Sequence, residues 1–130
     1  MILNRHAPDG MYLTSDLKRL LRVTDRQLQW WDEKGIVSPQ QVDHKRRYTH
    51  AEALAVALIL KLRAKGISLQ RCRRNRYPLL HARGDWLVVE NRGRFLWVAE
   101  EDDLLEALRE AKKGVWLIDV KELAGRIAKQ

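Results

Sequence analysis

Lys45, Arg46 and Arg47 stand consecutively, and earlier in the chain Arg26, Gln29, Trp30 and Glu33 recur at helical spacing. Guanidinium and ammonium groups bind phosphate oxygens through charge-assisted hydrogen bonds, and an indole N–H or a carboxamide can add a neutral donor. That is binding chemistry rather than bond-breaking chemistry. No nucleophile–base pair, carboxylate dyad, phosphate loop or metal cluster is visible. His6, His44, His50 and His81 are scattered without ligand spacing. The single cysteine, Cys72, excludes an internal disulfide and a cysteine-cluster metal site. Flanked by Arg71, Arg73 and Arg74, it is read as a small helix residue in preference to a thiolate sensor. Neither an enzyme nor a cofactor is expected.

The charge is unevenly placed. Of the net +8, residues 1–77 carry 16 Lys and Arg against 7 Asp and Glu, a balance of +9, and residues 78–130 carry 9 against 10, a balance of −1. A polyanion-binding part joined to a part with another task is the organisation this implies, with domains at 1–77 and 78–130. With 45 % hydrophobic and 32 % charged residues the 130-residue chain reads as soluble and globular. There is no apolar run long enough to span a membrane and no export signal pattern, so a cytoplasmic protein is expected.

The elements that must position the cations follow from capping and periodicity. Thr14-Ser15-Asp16 is expected to cap a short helix bearing Leu17, Leu20 and Leu21. Thr24 and Gln27 form a capping box for a second helix, with Val23 and Leu28 as its hydrophobic staple and Gly35 as its stop. Adjacent helical residues project about 100° apart, so Trp30 and Trp31 cannot enter one core. Leu28 and Trp31 share a face that Ile36 continues, whereas Trp30 lies with Arg26. Pro39 halts further helix before the basic stretch from Gln40 to Tyr48. Thr49 and Glu52 then open a helix over about 51–65, apolar on more than one face. Gly66 ends it, Ser68 caps the next, and Pro78 is expected to stop that one.

Beyond Pro78 the period changes to that of strands. Trp86–Glu90 and Arg94–Ala99 flank Asn91-Arg92-Gly93 as a β-hairpin. A helix over about 101–112 follows, then a strand at Val115–Ile118 expected to be buried on both faces, and a last helix capped by Asp119 and Glu122 and running to about Ala128. The fold class is therefore α+β, ending in a small ββαβα module.

Thr24-Asp25-Arg26-Gln27-Leu28-Gln29-Trp30-Trp31-Asp32-Glu33-Lys34-Gly35-Ile36-Val37 resembles the signature of the mercury-resistance regulator (MerR) family. In that family a Ser or Thr cap leads to Arg-Thr-Leu-Arg-Tyr-Tyr-Glu and a glycine followed by an apolar pair. Pro39, Arg46-Arg47-Tyr48-Thr49 and Leu62-Arg63-Ala64-Lys65-Gly66-Ile67-Ser68-Leu69 follow in the family's order, so the likeness covers about residues 12–74. It implies a winged helix-turn-helix whose second helix enters the major groove of double-stranded DNA while the wing grips flanking phosphates. It places Arg26, Trp30, Arg46, Tyr48 and Arg63 against the DNA, and the helix start, the helical face and the basic stretch add Thr24, Gln29, Lys45 and Arg47 to the expected site. Trp30 would lie against the sugar-phosphate backbone, and Trp31 would belong to the core. Gln29 replaces a usual arginine, both tryptophans replace tyrosines, and Lys45 occupies a family tyrosine position.

A sequence-specific DNA-binding regulator of the bacterial type is the function this implies. The alternative is an excisionase-like or antitoxin-like protein whose carboxy-terminal module binds a partner. Pro78 and the lack of heptads argue against the coiled coil by which the family usually dimerises, so a homodimer is expected to form through residues 78–130. Trp86, Trp97 and Trp116 are read as sheet core. A module this small is not expected to enclose a ligand pocket of ~300 Å³, and a small-molecule effector is left unassigned.

Overall fold

The computed structural model describes residues 11–91, 94–111 and 114–128. His6, the expected turn residues Arg92 and Gly93 and the expected helix end at Lys112 lie outside the described residues.

Strand β1 (Tyr12–Leu13) leads directly into α1 (Thr14–Leu21). Here Asp16, rather than Thr14 or Ser15, does the capping: from the first turn its carboxylate accepts the Leu13 N–H at 2.8 Å. Negative charge at that end also complements the helix dipole. Arg22 turns left-handed at φ 59° and donates its N–H to the Lys18 carbonyl, ending α1. Helix α2 (Asp25–Glu33) carries the expected capping box in full. Thr24 Oγ accepts the Gln27 N–H at 3.1 Å, and Gln27 Oε1 accepts the Thr24 N–H at 3.0 Å. Val23 and Leu28 are both buried, as the staple requires. At the other end the Ile36 N–H reaches the Trp31 carbonyl and the Gly35 N–H reaches that of Asp32, a Schellman motif closed by Gly35 at φ 72°.

After buried Pro39, β2 (Gln40–Val42) and β3 (Lys45–Tyr48) pair as an antiparallel hairpin. Its two turn residues, Asp43 and His44, have φ of 53° and 65°, the geometry of a two-residue primed turn. Strand β1 adds on the far side, giving the order β1-β3-β2. Thr49 and Glu52 cap α3 (His50–Ala64), whose Ala53 to Ile59 and Leu62 are all buried. A helix apolar all round must be enclosed, and α3 forms the axis of the molecule. Ser68 caps α4 (Leu69–Arg74).

Pro78 does not stop this helix. Helix α4 ends at Arg74, and Pro78 lies in the first turn of α5 (Arg76–Leu80), where its missing N–H leaves no helical bond unmade. The expected division between residues 77 and 78 therefore falls within α5.

The second sheet has the order β5-β4-β6, from β4 (Trp86–Glu90), β5 (Phe95–Val98) and β6 (Val115–Asp119), all antiparallel neighbours. Helix α6 (Glu101–Glu110) precedes β6, and α7 (Val120–Ala128) follows it, with Asp119 accepting the Glu122 N–H. The expectation that Val115–Ile118 is buried on both faces is corrected: β6 is an edge strand, Ile118 is buried, and Leu117 on the opposite face is 45 % exposed. Register places Leu87, Val89, Phe95, Trp97, Trp116 and Ile118 on the inner face. That face is covered by α5 and α7, both of which pack on α3. Helix α6 lies against β5 on the outer side, over buried Val88 and Val98. Buried side chains from Tyr12 to Ile127 form one continuous cluster.

Candidate nucleic-acid interface

Helix α2 separates the two tryptophans as its geometry demands. Trp31 is 4 % exposed and inside the core, whereas Trp30 is 47 % exposed. Lys34, one turn on, sets its ammonium 4.7 Å from the centre of the Trp30 ring, so the exposed indole carries a cation over its face. Gln29 and Glu33 share that side of the helix and are joined by a 3.2 Å hydrogen bond. Arg26 is exposed on the same face and has no ion pair among the described residues. Thr24, by contrast, is engaged in the capping box, so its hydroxyl already has partners within the protein.

Strand alternation sorts the basic stretch into two faces. Arg46 and Tyr48 point inward. The Arg46 Nε donates to Asp32 Oδ2 at 2.8 Å, with both side chains mostly covered, and this ion pair fixes the hairpin to the end of α2. Tyr48 has no exposed surface, its hydroxyl has no hydrogen-bond partner among the described residues, and burial pushes its phenol well above the ordinary range. The expected DNA contact at Tyr48 is thus corrected to a core position. Lys45 and Arg47 lie on the opposite face, Lys45 exposed and Arg47 partly covered. Arg63, on α3, is exposed and donates to the Ile67 carbonyl at 3.0 Å, fastening the turn after α3.

An open cleft of about 410 Å³ lies where the amino-terminal ends of α1 and α2 meet the tip of the hairpin. Thr14, Ser15 and Lys18 line it from one side, and His44 and Lys45 from the other. Lys18 also pairs with Asp25 at 2.7 Å, holding the two helices together. Thr14, Ser15 and Lys18 were not among the residues expected at the site. The signal that places them there is tertiary: Leu13 stands opposite Arg47 in the β1–β3 register, which brings the start of α1 alongside the basic strand.

Two helix amino termini, Lys18, His44 and Lys45 border this concave edge together with Asp25, while Arg26 and Trp30 are exposed on α2 outside its lining. Cations and helix amino termini suit phosphate groups. No helix among the described residues is long and apolar enough to cross a membrane. No curated protein matches the chain. The sequence model of the MerR HTH family of regulatory proteins matches residues 12–76, half of the chain and the whole of the segment that builds this edge. By that match the chain belongs to the MerR family of helix-turn-helix regulatory proteins, a family of DNA-binding regulators.

Proposed function

We propose that the protein is a bacterial transcriptional regulator that binds specific double-stranded DNA sites through α2 and the β2–β3 hairpin, the latter acting as a wing. The observation that carries this reading is the sorting of side chains on the two elements. Trp30, Arg26 and Lys45 are exposed, whereas Trp31, Tyr48 and the Arg46–Asp32 pair fix the framework beneath them. Arg26 and Gln29 face the groove, and glutamine can pair with the N6/N7 edge of adenine. Lys45, Arg47 and Arg63 contact phosphates, and Trp30 lies along the sugar-phosphate backbone. Such a role is carried out in the cytoplasm.

The test is duplex binding by fluorescence anisotropy across a salt series. Each phosphate neutralised contributes about −0.9 to the slope of log K against log salt. Lys45→Glu with Arg47→Glu is expected to weaken binding to all duplexes alike and flatten that slope. Absence of salt-dependent binding, or a slope unchanged in this variant, would overturn the reading. The Arg46→Ala variant separates framework from contact: it should lower stability by about 1–2 kcal/mol, because Asp32 is left partly buried without its partner.

The protein acts as a homodimer joined through residues 78–130. Leu105 and Leu108, one turn apart on α6, and Leu117 on the edge strand are all exposed, apolar surface that a second copy would cover. Selection of bound fragments from random duplex DNA is expected to return an inverted repeat, and single unpaired half-sites would argue for a monomer.

A further inference from the structure

Trp116 sits on the inner face of β6, at the rim of the sheet, where it is only half-buried. Beside it, between the last turn of α3, β6 and α7, opens a cleft of about 380 Å³. Its floor is apolar, formed by Trp116, Ile118 and Leu123, and its rim carries Lys61 from α3, Lys65 just beyond that helix and Arg126 from α7. Lys65 holds its ammonium 5.3 Å from the centre of the Trp116 ring. None of these three cations is ion-paired among the described residues, although Asp119 and Glu122 border the same cleft. The space does not lie inside the small ββαβα module. It lies between that module and α3, so the module does not have to enclose it alone.

We infer that this cleft binds a small planar organic monoanion, an aromatic carboxylate, with its ring on the Trp116–Ile118–Leu123 floor and its carboxylate between Lys61 and Lys65. The volume is near the lower end of the ~300–1,000 Å³ that ligand sites occupy, too small for a dinucleotide or a haem. Asp119 and Glu122 repel a polyphosphate or a nucleic acid strand, whereas a single carboxylate can keep to the lysine side. A neutral apolar ligand would leave the lysine ammoniums facing a surface they cannot hydrogen-bond, so the charge on the ligand supplies the selectivity. The site takes one wall from the segment shared with the family and the other from the carboxy-terminal module, so its occupant joins the two. The inference stands on the cleft alone and is independent of the DNA-binding reading.

Isothermal titration calorimetry of the full chain with 1-naphthoate tests it, alongside the neutral 1-naphthamide and the cationic 1-naphthylmethylammonium. Saturable one-site binding of the anion with Kd below ~1 mM is expected, with both other probes at least about tenfold weaker. Lys61 and Lys65 are exposed, so Lys61→Ala with Lys65→Ala should fold normally and bind 1-naphthoate about tenfold more weakly. In 1H–15N spectra the Trp116 indole resonance should shift. The exposed Trp30–Lys34 pair has similar chemistry without a cleft, and Trp30→Ala should leave the affinity unchanged. The inference is overturned if no probe saturates, if the amide binds as well as the acid, if the double lysine variant binds as tightly, or if Trp30→Ala abolishes binding.

Discussion

Trp30 and Trp31 are covalent neighbours with opposite environments, and the helix that carries them decides the difference. Removing Trp31 empties part of the core, so Trp31→Ala should cost about 3–5 kcal/mol of stability. Trp30→Ala should stay within about 0.5 kcal/mol of the parent and weaken duplex binding instead, which chemical denaturation and anisotropy can score on one pair of variants. This division was legible in the sequence because it needs only the helical angle and the apolar series Leu28, Trp31, Ile36. The inward turn of Tyr48 was not: in a short strand flanked by basic residues, alternation leaves open which of the two sets faces the core. Cys72 follows the same logic of environment over composition. Its arginine neighbours suggest an acidic thiol, yet it is fully covered, and burial outweighs the nearby Arg63 and Arg71 charges and pushes the thiol from 9.0 up to about 11. The native protein should therefore react with a thiol reagent at pH 8 only as fast as it opens. The unfolded thiol ionises first, so this group contributes full stability below pH 9 and loses it as pH rises towards about 11.

Elements whose ends are written in local chemistry were the most legible. The boxes at Thr24 and Thr49, the cap at Ser68 and the glycine stop at Gly35 each satisfy backbone groups that would otherwise go unpaired, and all four stand where their residues imply. Pro78 misled because proline marks two places, the residue after a helix and the first turn of the next, and only the packing of α5 against α3 and β5 selects the second. Strand β6 misled because four apolar residues in a row describe a strand buried on both faces and an edge strand with one face open equally well. Gly84 had no sequence signal, although its position is demanding: a side-chain carbon there would land on the backbone carbonyl of Val98. The obstacle is main chain in the second sheet and cannot rotate away. Gly84→Ala should therefore destabilise by about 1–3 kcal/mol, read as a lower denaturation midpoint, and a neutral result would show that the approach to β5 is looser than described.

At the scale of the whole molecule, the charge asymmetry between residues 1–77 and 78–130 describes a division of surface, while the interior is shared. Arg71 on α4 donates to the Glu90 carbonyl at the end of β4 and lies over Phe95, and the Trp97 indole donates to the Pro78 carbonyl at 2.7 Å. Leu79, Leu87, Leu123 and Ile127 belong to the same buried cluster as Leu28 and Trp31, through α3. The sequence announces the enclosure through the helix over about 51–65, apolar on more than one face, but not these particular contacts, which join positions far apart in the chain. A helix enclosed from both sides cannot lose one side and keep its stability, so the two halves should unfold together. Calorimetry is expected to give one transition whose calorimetric and van't Hoff enthalpies agree, at ~90 kcal/mol from about 0.7 kcal/mol per residue over the chain. Ile127→Ala, far from α2 in sequence and fully buried on α7, should cost about 2–5 kcal/mol and lower the single melting temperature by about 6–15 °C, with far-UV ellipticity and tryptophan emission moving together. Should tryptophan emission and far-UV ellipticity instead give two separate midpoints, α3 would be serving two separate bodies, and the carboxy-terminal module would be an attachment rather than half of the core.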